Sequence, residues 1–293
     1  MAHIKVPDNL SDGLPQIIDS KGLRIISYTQ EEEVEQVNVQ LTQNLVVFVT
    51  SGYKKLLGES KNKIIRKGEG FLIKKGNYLL SEKLENDEFY KSMLFFFSDK
   101  FAHQFTSSLI DLKSGSENIK SPMRTFETNN LLKSYLAGLS TYLQDSDLSD
   151  MEGLAKLKLQ ELFLLLIKGI GDEFKSFLSN LGKSPAKDLR EFMNMHYKEN
   201  LTLKEYAFLS GHSLSTFKRL FKKEFNTTPG RWVKQKQLQE SKFLLRSKRL
   251  NVTQVCFEVG FKNLSHFVQA FKRRYGITPK QFQLEQRSTK SES

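Results

Sequence analysis

Two sets of polar side chains, fifty residues apart in a chain of 293, have types and spacing suited to the same chemistry. On a helix turning about 100° per residue, Ser215, Thr216, Arg219 and Lys223 share one face, with Lys218 and Lys222 on its flanks. Ser265, His266, Gln269 and Arg273 share the matching face of a second helix, flanked by Val268 and Lys272. On both, short or hydrogen-bonding groups stand near the N-terminal end and cations follow. That order suits a helix laid in the major groove of duplex DNA, with its first turns at base edges and its later Lys and Arg at phosphates. Any surface helix carries a mixed polar face, but that alone does not explain one frame occurring twice with different polar residues.

The elements that would hold these faces are written in the same repeat. Aligning Ser213–Trp232 with Asn263–Phe282 makes seven of twenty pairs identical, among them Phe217/Phe267, Phe221/Phe271 and Pro229/Pro279. Leu214, Phe217, Leu220, Phe221 and Phe225 fall on the face opposite the polar set and are expected in the core, as are Leu264, Phe267, Ala270, Phe271 and Tyr275. A shorter helix precedes each copy. Thr202-x-x-Glu205 and Asn251-x-x-Gln254 have the side chains of capping boxes, and Gly211 and Gly260 supply the left-handed residue that stops a helix. Asn226 and Gly276 end the second helix in the same way. Thr228-Pro229 and Thr278-Pro279 then open a third helix. Helix, glycine turn and helix make a helix-turn-helix, here twice.

Charge and length agree with a separate module. The formal net charge is +12, and from Ala186 onward there are 22 Lys and Arg against nine Asp and Glu, leaving 23 against 24 before it. The excess positive charge therefore lies in the last third, the mark of a polyanion-binding unit joined to a near-neutral one. The only cysteine is Cys256, so no disulfide framework exists and a reducing cytoplasm fits; a buried, inert thiol is expected. No apolar stretch reaches membrane-spanning length and the first residues do not read as a secretion signal.

From Leu23 to Phe97 short β-rich runs alternate with turns: Leu23–Tyr28, Val34–Val39, Leu45–Thr50, Lys63–Arg66, Phe71–Lys74, Tyr78–Ser81 and Tyr90–Phe97. A small sandwich or barrel is expected. Beyond Ser98 the period becomes helical, with Leu131, Leu132, Tyr135, Leu139 and Tyr142 on one helix and Leu154, Leu157, Glu161, Leu162 and Leu165 on another. The second is apolar almost all round and needs a helix partner or a dimer interface. A metal-dependent cupin enzyme is the rival reading, and ligand supply argues against it, because this region holds only His3 and His103. His196, His212 and His266 lie in the basic region without ligand spacing. Gly68-x-Gly70 is too short for a phosphate loop, and no nucleophile–base pair stands out. No cofactor, metal or catalytic residue is expected. Two readings of the β-region stand: a small-effector site among residues such as Phe48, Phe71, Tyr78, Phe95 and Phe97, with no effector named, or a solid core serving dimerisation or a protein partner.

The stretch from Lys187 to Gln286 closely resembles the DNA-binding region of the AraC/XylS family of bacterial transcription regulators. The likeness is strongest in Val252-x-x-Val255-Cys256-x-x-Val259-Gly260-Phe261 and in Ser265-His266-Phe267 through Tyr275-Gly276-Ile277-Thr278-Pro279. The resemblance implies two helix-turn-helix units joined by a linker helix, about Gly230 to Leu245, with recognition helices in successive major grooves. It places base contacts on Ser215, Lys218, Arg219, Ser265 and Gln269. Thr216 and His266 join them from the helical wheel, and Lys222, Lys223, Lys272 and Arg273 are the expected phosphate contacts. Arg219 suits guanine and Gln269 suits adenine. Two departures stand out: Cys256 where the family usually has alanine, and Gln237 where it usually has arginine, a loss expected to soften the coupling of the two units.

The sequence thus reads as an α+β protein. Residues 1–170 form a cupin-like β-barrel or sandwich with dimerisation helices, 171–186 a linker, 187–287 an all-α DNA-binding unit, and 288–293 a disordered tail. By analogy with the family, the expected function is a cytoplasmic homodimeric activator that meets promoter DNA and RNA polymerase, with a possible small-molecule effector. A repressor or architectural DNA-binding protein is the alternative.

Overall fold

The run Tyr90–Phe97 is apolar at nearly every position, which a strand needs only when both of its faces are covered. The computed structural model supplies that cover; it describes residues 3–10, 17–20, 22–57, 63–84, 89–108, 123–145, 153–182, 188–246 and 250–288. The chain divides into two units, Met1–Ala186 and Lys187–Ser293.

Eleven strands are described in the first unit: β1 (Ile4–Val6), β2 (Ile17–Ser20), β3 (Leu23–Gln30), β4 (Val34–Leu41), β5 (Asn44–Ser51), β6 (Tyr53–Leu57), β7 (Lys63–Arg66), β8 (Glu69–Ile73), β9 (Gly76–Lys83), β10 (Tyr90–Phe97) and β11 (Met123–Glu127). They form a five-stranded sheet, β1-β4-β9-β6-β7, and a six-stranded sheet, β11-β8-β5-β10-β3-β2. The two sheets pack face to face through Val39, Leu56, Ile65 and Tyr78 of one and Ile26, Val47, Phe71, Leu94 and Phe96 of the other. Of the expected barrel or sandwich, the sandwich forms; the sheets do not close into one barrel.

The outer face of the six-stranded sheet is covered by α1 (Asp99–Ser108), α2 (Asn130–Gln144) and α3 (Leu154–Ser179). Alternation along β10 sends Met93, Phe95 and Phe97 to these helices and Leu94 and Phe96 to the opposite sheet. Phe163 of α3 is the hub of the helical layer, with Phe97, Phe101, Phe105 and Phe174 edge-on to it at 4.9–5.4 Å. All seven sequence-expected strands are present. β1, β2, β6, β11 and α1 come in addition.

Residues 171–179, expected as linker, are helical instead. α3 kinks at Gly171 (φ 45°, ψ −116°) and then buries Phe174, Phe177 and Leu178 in the sheet–helix core, which holds the segment in place. Residues 180–182 form a turn after the helix, and 183–186 of the expected linker lie outside the described residues, as do 289–293 of the expected tail. Two helix positions are also turned from expectation, Leu131 and Leu157 being exposed at 48% and 65%. No helix among the described residues is long and apolar enough to cross a membrane.

The second unit is helical throughout its described residues: α4 (Leu189–His196), α5 (Leu203–Leu209), α6 (Leu214–Phe225), α7 (Pro229–Arg246), α8 (Val252–Glu258), α9 (Leu264–Tyr275) and α10 (Pro279–Ser288).

Candidate nucleic-acid interface

Local signals fix both helix-turn-helix units. At α5, Thr202 Oγ1 accepts from the Glu205 amide (3.3 Å) while Glu205 Oε2 accepts from the Thr202 amide (2.7 Å). At α8, Asn251 and Gln254 exchange the same two bonds at 2.8 and 2.9 Å. Both capping boxes are therefore closed. Gly211 (φ 74°) and Gly260 (φ 88°) turn the chain, and Asn226 (φ 50°) and Gly276 (φ 83°) end α6 and α9 in the left-handed region.

Ser213 caps α6 by accepting from the Thr216 amide at 3.2 Å, and its hydroxyl also lies 2.9 Å from Thr216 Oγ1 and 3.1 Å from Ser215 Oγ. Asn263 caps α9 by accepting from the His266 amide at 3.1 Å. The apolar faces form two parallel aromatic ladders. Tyr206 stacks on Phe217 and Phe221 meets Trp232 at 6.0 Å in the first; Phe261 meets Phe267 and Phe271 meets Phe282 at 5.8 Å in the second. Phe217, Phe221, Phe267 and Phe271 are fully buried. Leu214, Leu220, Phe225 and Tyr275 are half-buried at the rim. Leu264, expected inside, is exposed at 37%.

With the apolar faces fixed, the polar ones point outward. Ser215, Lys218, Arg219, Lys222 and Lys223 are exposed on α6, Thr216 is half-buried, and Ser265, His266, Gln269, Lys272 and Arg273 are exposed on α9. Glu224, the one acid of α6, is held by Arg190 at 2.7 and 3.0 Å, and the Arg190 guanidinium also covers the Phe225 ring at 5.1 Å. Its carboxylate is thus turned to a partner beside the cationic face.

α7 joins the units, and Gln237 is its central contact. Its side chain is 7% exposed, and Nε2 donates to Tyr197 O of the first unit (3.1 Å) and to Gly260 O in the turn of the second (3.3 Å). A neutral amide thus bridges both units at the position where the resemblance implies arginine. Gly260 is required here twice over: its φ is left-handed, and a Cβ would come 2.5 Å from Lys198 O. Lys198 continues the seam with an ion pair to Glu240 at 3.2 Å.

One candidate position is not visible in the sequence. Lys234 of α7 borders a polar cleft of about 440 Å³ with His266, Gln269, Ala270 and Arg273 of α9. Lys234 precedes His266 by 32 residues, so only the packing of α7 against α9 reveals the neighbourhood. Cys256 is fully buried in the second ladder and burial raises its thiol pKa, the setting of an unreactive cysteine. Among the described residues no three His, Cys, Asp or Glu side chains gather as a metal site.

Two linked helix-turn-helix units with outward cationic helices define a DNA-binding protein. Residues 44–177 match the ExsA N-terminal regulatory domain and 206–285 a helix-turn-helix domain. The virulence regulon transcriptional activator VirF of Yersinia enterocolitica is 31% identical over 189 residues, 64% of this chain and 69% of VirF. The HTH-type transcriptional regulator ExsA of Pseudomonas aeruginosa is 27% identical over 216 residues, 72% of this chain and 76% of ExsA. An apo ToxT point variant from Vibrio cholerae aligns with 91% of this chain and 98% of its own at 14% identity and a TM-score of 0.43. The chain belongs to the AraC family of transcription regulators.

Proposed function

We propose that this regulator binds promoter DNA with α6 and α9 in successive major grooves of one face of the duplex and activates transcription there. Ser215, Thr216, Lys218, Arg219, Ser265, His266 and Gln269 read bases; Lys222, Lys223, Lys272 and Arg273 contact phosphates, and Lys234 joins them from the linker helix. The observation that carries this reading is the Gln237 bridge, which ties together two units whose exposed helix faces are both cationic. Fixed spacing lets two short readouts act as one longer one. The protein works as a cytoplasmic homodimer. Exposed Leu157 and Leu164, seven residues apart on α3, supply the apolar surface for the second copy. RNA polymerase is the partner by analogy with the family.

Binding-site selection from a random duplex pool with the full chain, at one stated near-physiological salt concentration, tests the reading. Two short specified blocks about 10 bp apart are the expected result. Enrichment of no sequence would reduce the function to binding by charge. A reporter carrying the selected site should rise with the protein; a fall would make the protein a repressor.

A further inference from the structure

A hydroxyl ordinarily has no fixed sense in a base contact, because it rotates to donate or to accept and so bonds to any base edge. The first turn of α6 removes that freedom. Ser213 Oγ accepts from the Thr216 amide at 3.2 Å, and its single proton goes to Thr216 Oγ1 at 2.9 Å. With that proton used, the 3.1 Å contact between Ser213 and Ser215 is a hydrogen bond only if Ser215 donates. The three hydroxyls therefore run in one direction, from Ser215 to Ser213 to Thr216. Ser215 is left with lone pairs and no proton to give, and Thr216 keeps the one proton of the chain that is not used within it.

Ser215 is exposed and Thr216 half-buried beside it. Both oxygens are tied to the same Ser213 Oγ, which holds them side by side at the N-terminal end of the helix. The pair so offers one acceptor and one donor. In the major groove adenine presents the complement on a single base edge, an N6 amino donor and an N7 acceptor, whereas guanine presents two acceptors, N7 and O6. Against guanine the Ser215 lone pairs would face a carbonyl oxygen, and two acceptors shut away from water without a donor are costly. Cytosine and thymine each match only one of the two hydroxyls. The second unit is built otherwise: Asn263 caps α9 with a carbonyl oxygen, which accepts from the His266 amide and has no proton to hand on.

We propose that Ser213 is a positioning residue for base selection: by directing the Ser215 and Thr216 protons it makes the first turn of α6 a reader of adenine against guanine. The inference rests on the reading that α6 lies in a major groove, and adds to it the base that this turn selects.

Competition binding of the full chain to its selected duplex tests the inference, with thermal unfolding alongside. The block read by α6 is the one that changes in Arg219→Gln, and within it the position that responds to Ser215→Ala should be adenine. There, guanine should weaken wild-type binding about tenfold or more. 7-Deazaadenine, which lacks the N7 acceptor, and purine, which lacks the N6 amino group, should each weaken it roughly three- to tenfold. Thr216→Val should lose the response to 7-deazaadenine and keep that to purine, and Ser215→Ala should do the reverse. Ser213→Asn copies the cap of the second unit and removes the directing proton; Asn and Ser cap equally well, so Tm should hold while the preference for adenine over guanine falls about tenfold. A residue that only holds the helix would weaken all sequences alike and leave the preference as it was. A base other than adenine at that position, or an unchanged preference in Ser213→Asn, overturns the inference and leaves the groove reading standing; no selected position at all overturns both. Should a variant not fold, the two analogues on the wild type decide, and indifference to either one overturns the inference.

Discussion

The two helix-turn-helix units share one frame and are held in different ways. In the first, the Ser213 cap also engages the Thr216 and Ser215 hydroxyls, and Arg190 holds Glu224 at the far end of α6. In the second, Asn263 caps α9, Arg274 stands where the first unit has Glu224, and Gln269 and Arg273 face Lys234 across an open cleft. The buried pairs Phe217/Phe267, Phe221/Phe271 and Pro229/Pro279 agree between the copies, and of the outward positions Ser215/Ser265 and Lys222/Lys272 agree while Thr216/His266 and Arg219/Gln269 differ. Packing constrains a residue by volume and shape, while a surface group facing a variable base sequence is free to diverge.

The largest effect should come from the seam. Gly260→Val combines a forbidden left-handed φ with a clash against Lys198 O, and should cost about 2–4 kcal/mol in urea unfolding of the second unit. Gly276, also left-handed but with nothing within 4 Å of its would-be Cβ, should lose less as Gly276→Val. Equal losses would show that the seam adds nothing to backbone strain. Next come the outward faces. Arg219→Gln should shift one selected position from guanine toward adenine, and Gln269→Ala should relax one adenine position, each by about 1–3 kcal/mol. An unchanged site preference would remove these residues from the readout.

Gln237→Met keeps the volume and removes both bridging donors, for about 1–2 kcal/mol. Its sharper signature is tolerance: the variant should distinguish 10 bp from 11 bp block spacing less well than the wild type in competition binding. Smallest are the phosphate contacts. Lys222→Ala and Lys272→Ala should weaken binding to all sequences alike and reduce the slope of log K against log salt by about 0.9 each.

The C-terminal unit was legible because its signals are local. A capping box closes over four residues, and a glycine after the last turn does its work where it stands, so both units could be laid out from spacing alone. The N-terminal unit depends on contacts far apart in the chain. β6 was missed because Tyr53-Lys54-Lys55 reads as polar, yet Lys54 is buried by a cross-strand partner 28 residues on. Phe48 and Phe71 look equivalent in sequence but lie in different cores, a distinction made by the pairing of β5 with β8 and β10. Lys234 escaped for a similar reason, its neighbours being supplied by another helix.

Strand β10 is hydrogen-bonded on both edges, to β3 and to β5, and contributes side chains to both cores of its unit. Neither core can loosen without disturbing it, so local opening should pass it by. Its amide protons should be among the last in the N-terminal unit to exchange with deuterated solvent, at a rate that reports the global unfolding of that unit. Exchange along this strand would then give the stability of the N-terminal half separately from that of the C-terminal half.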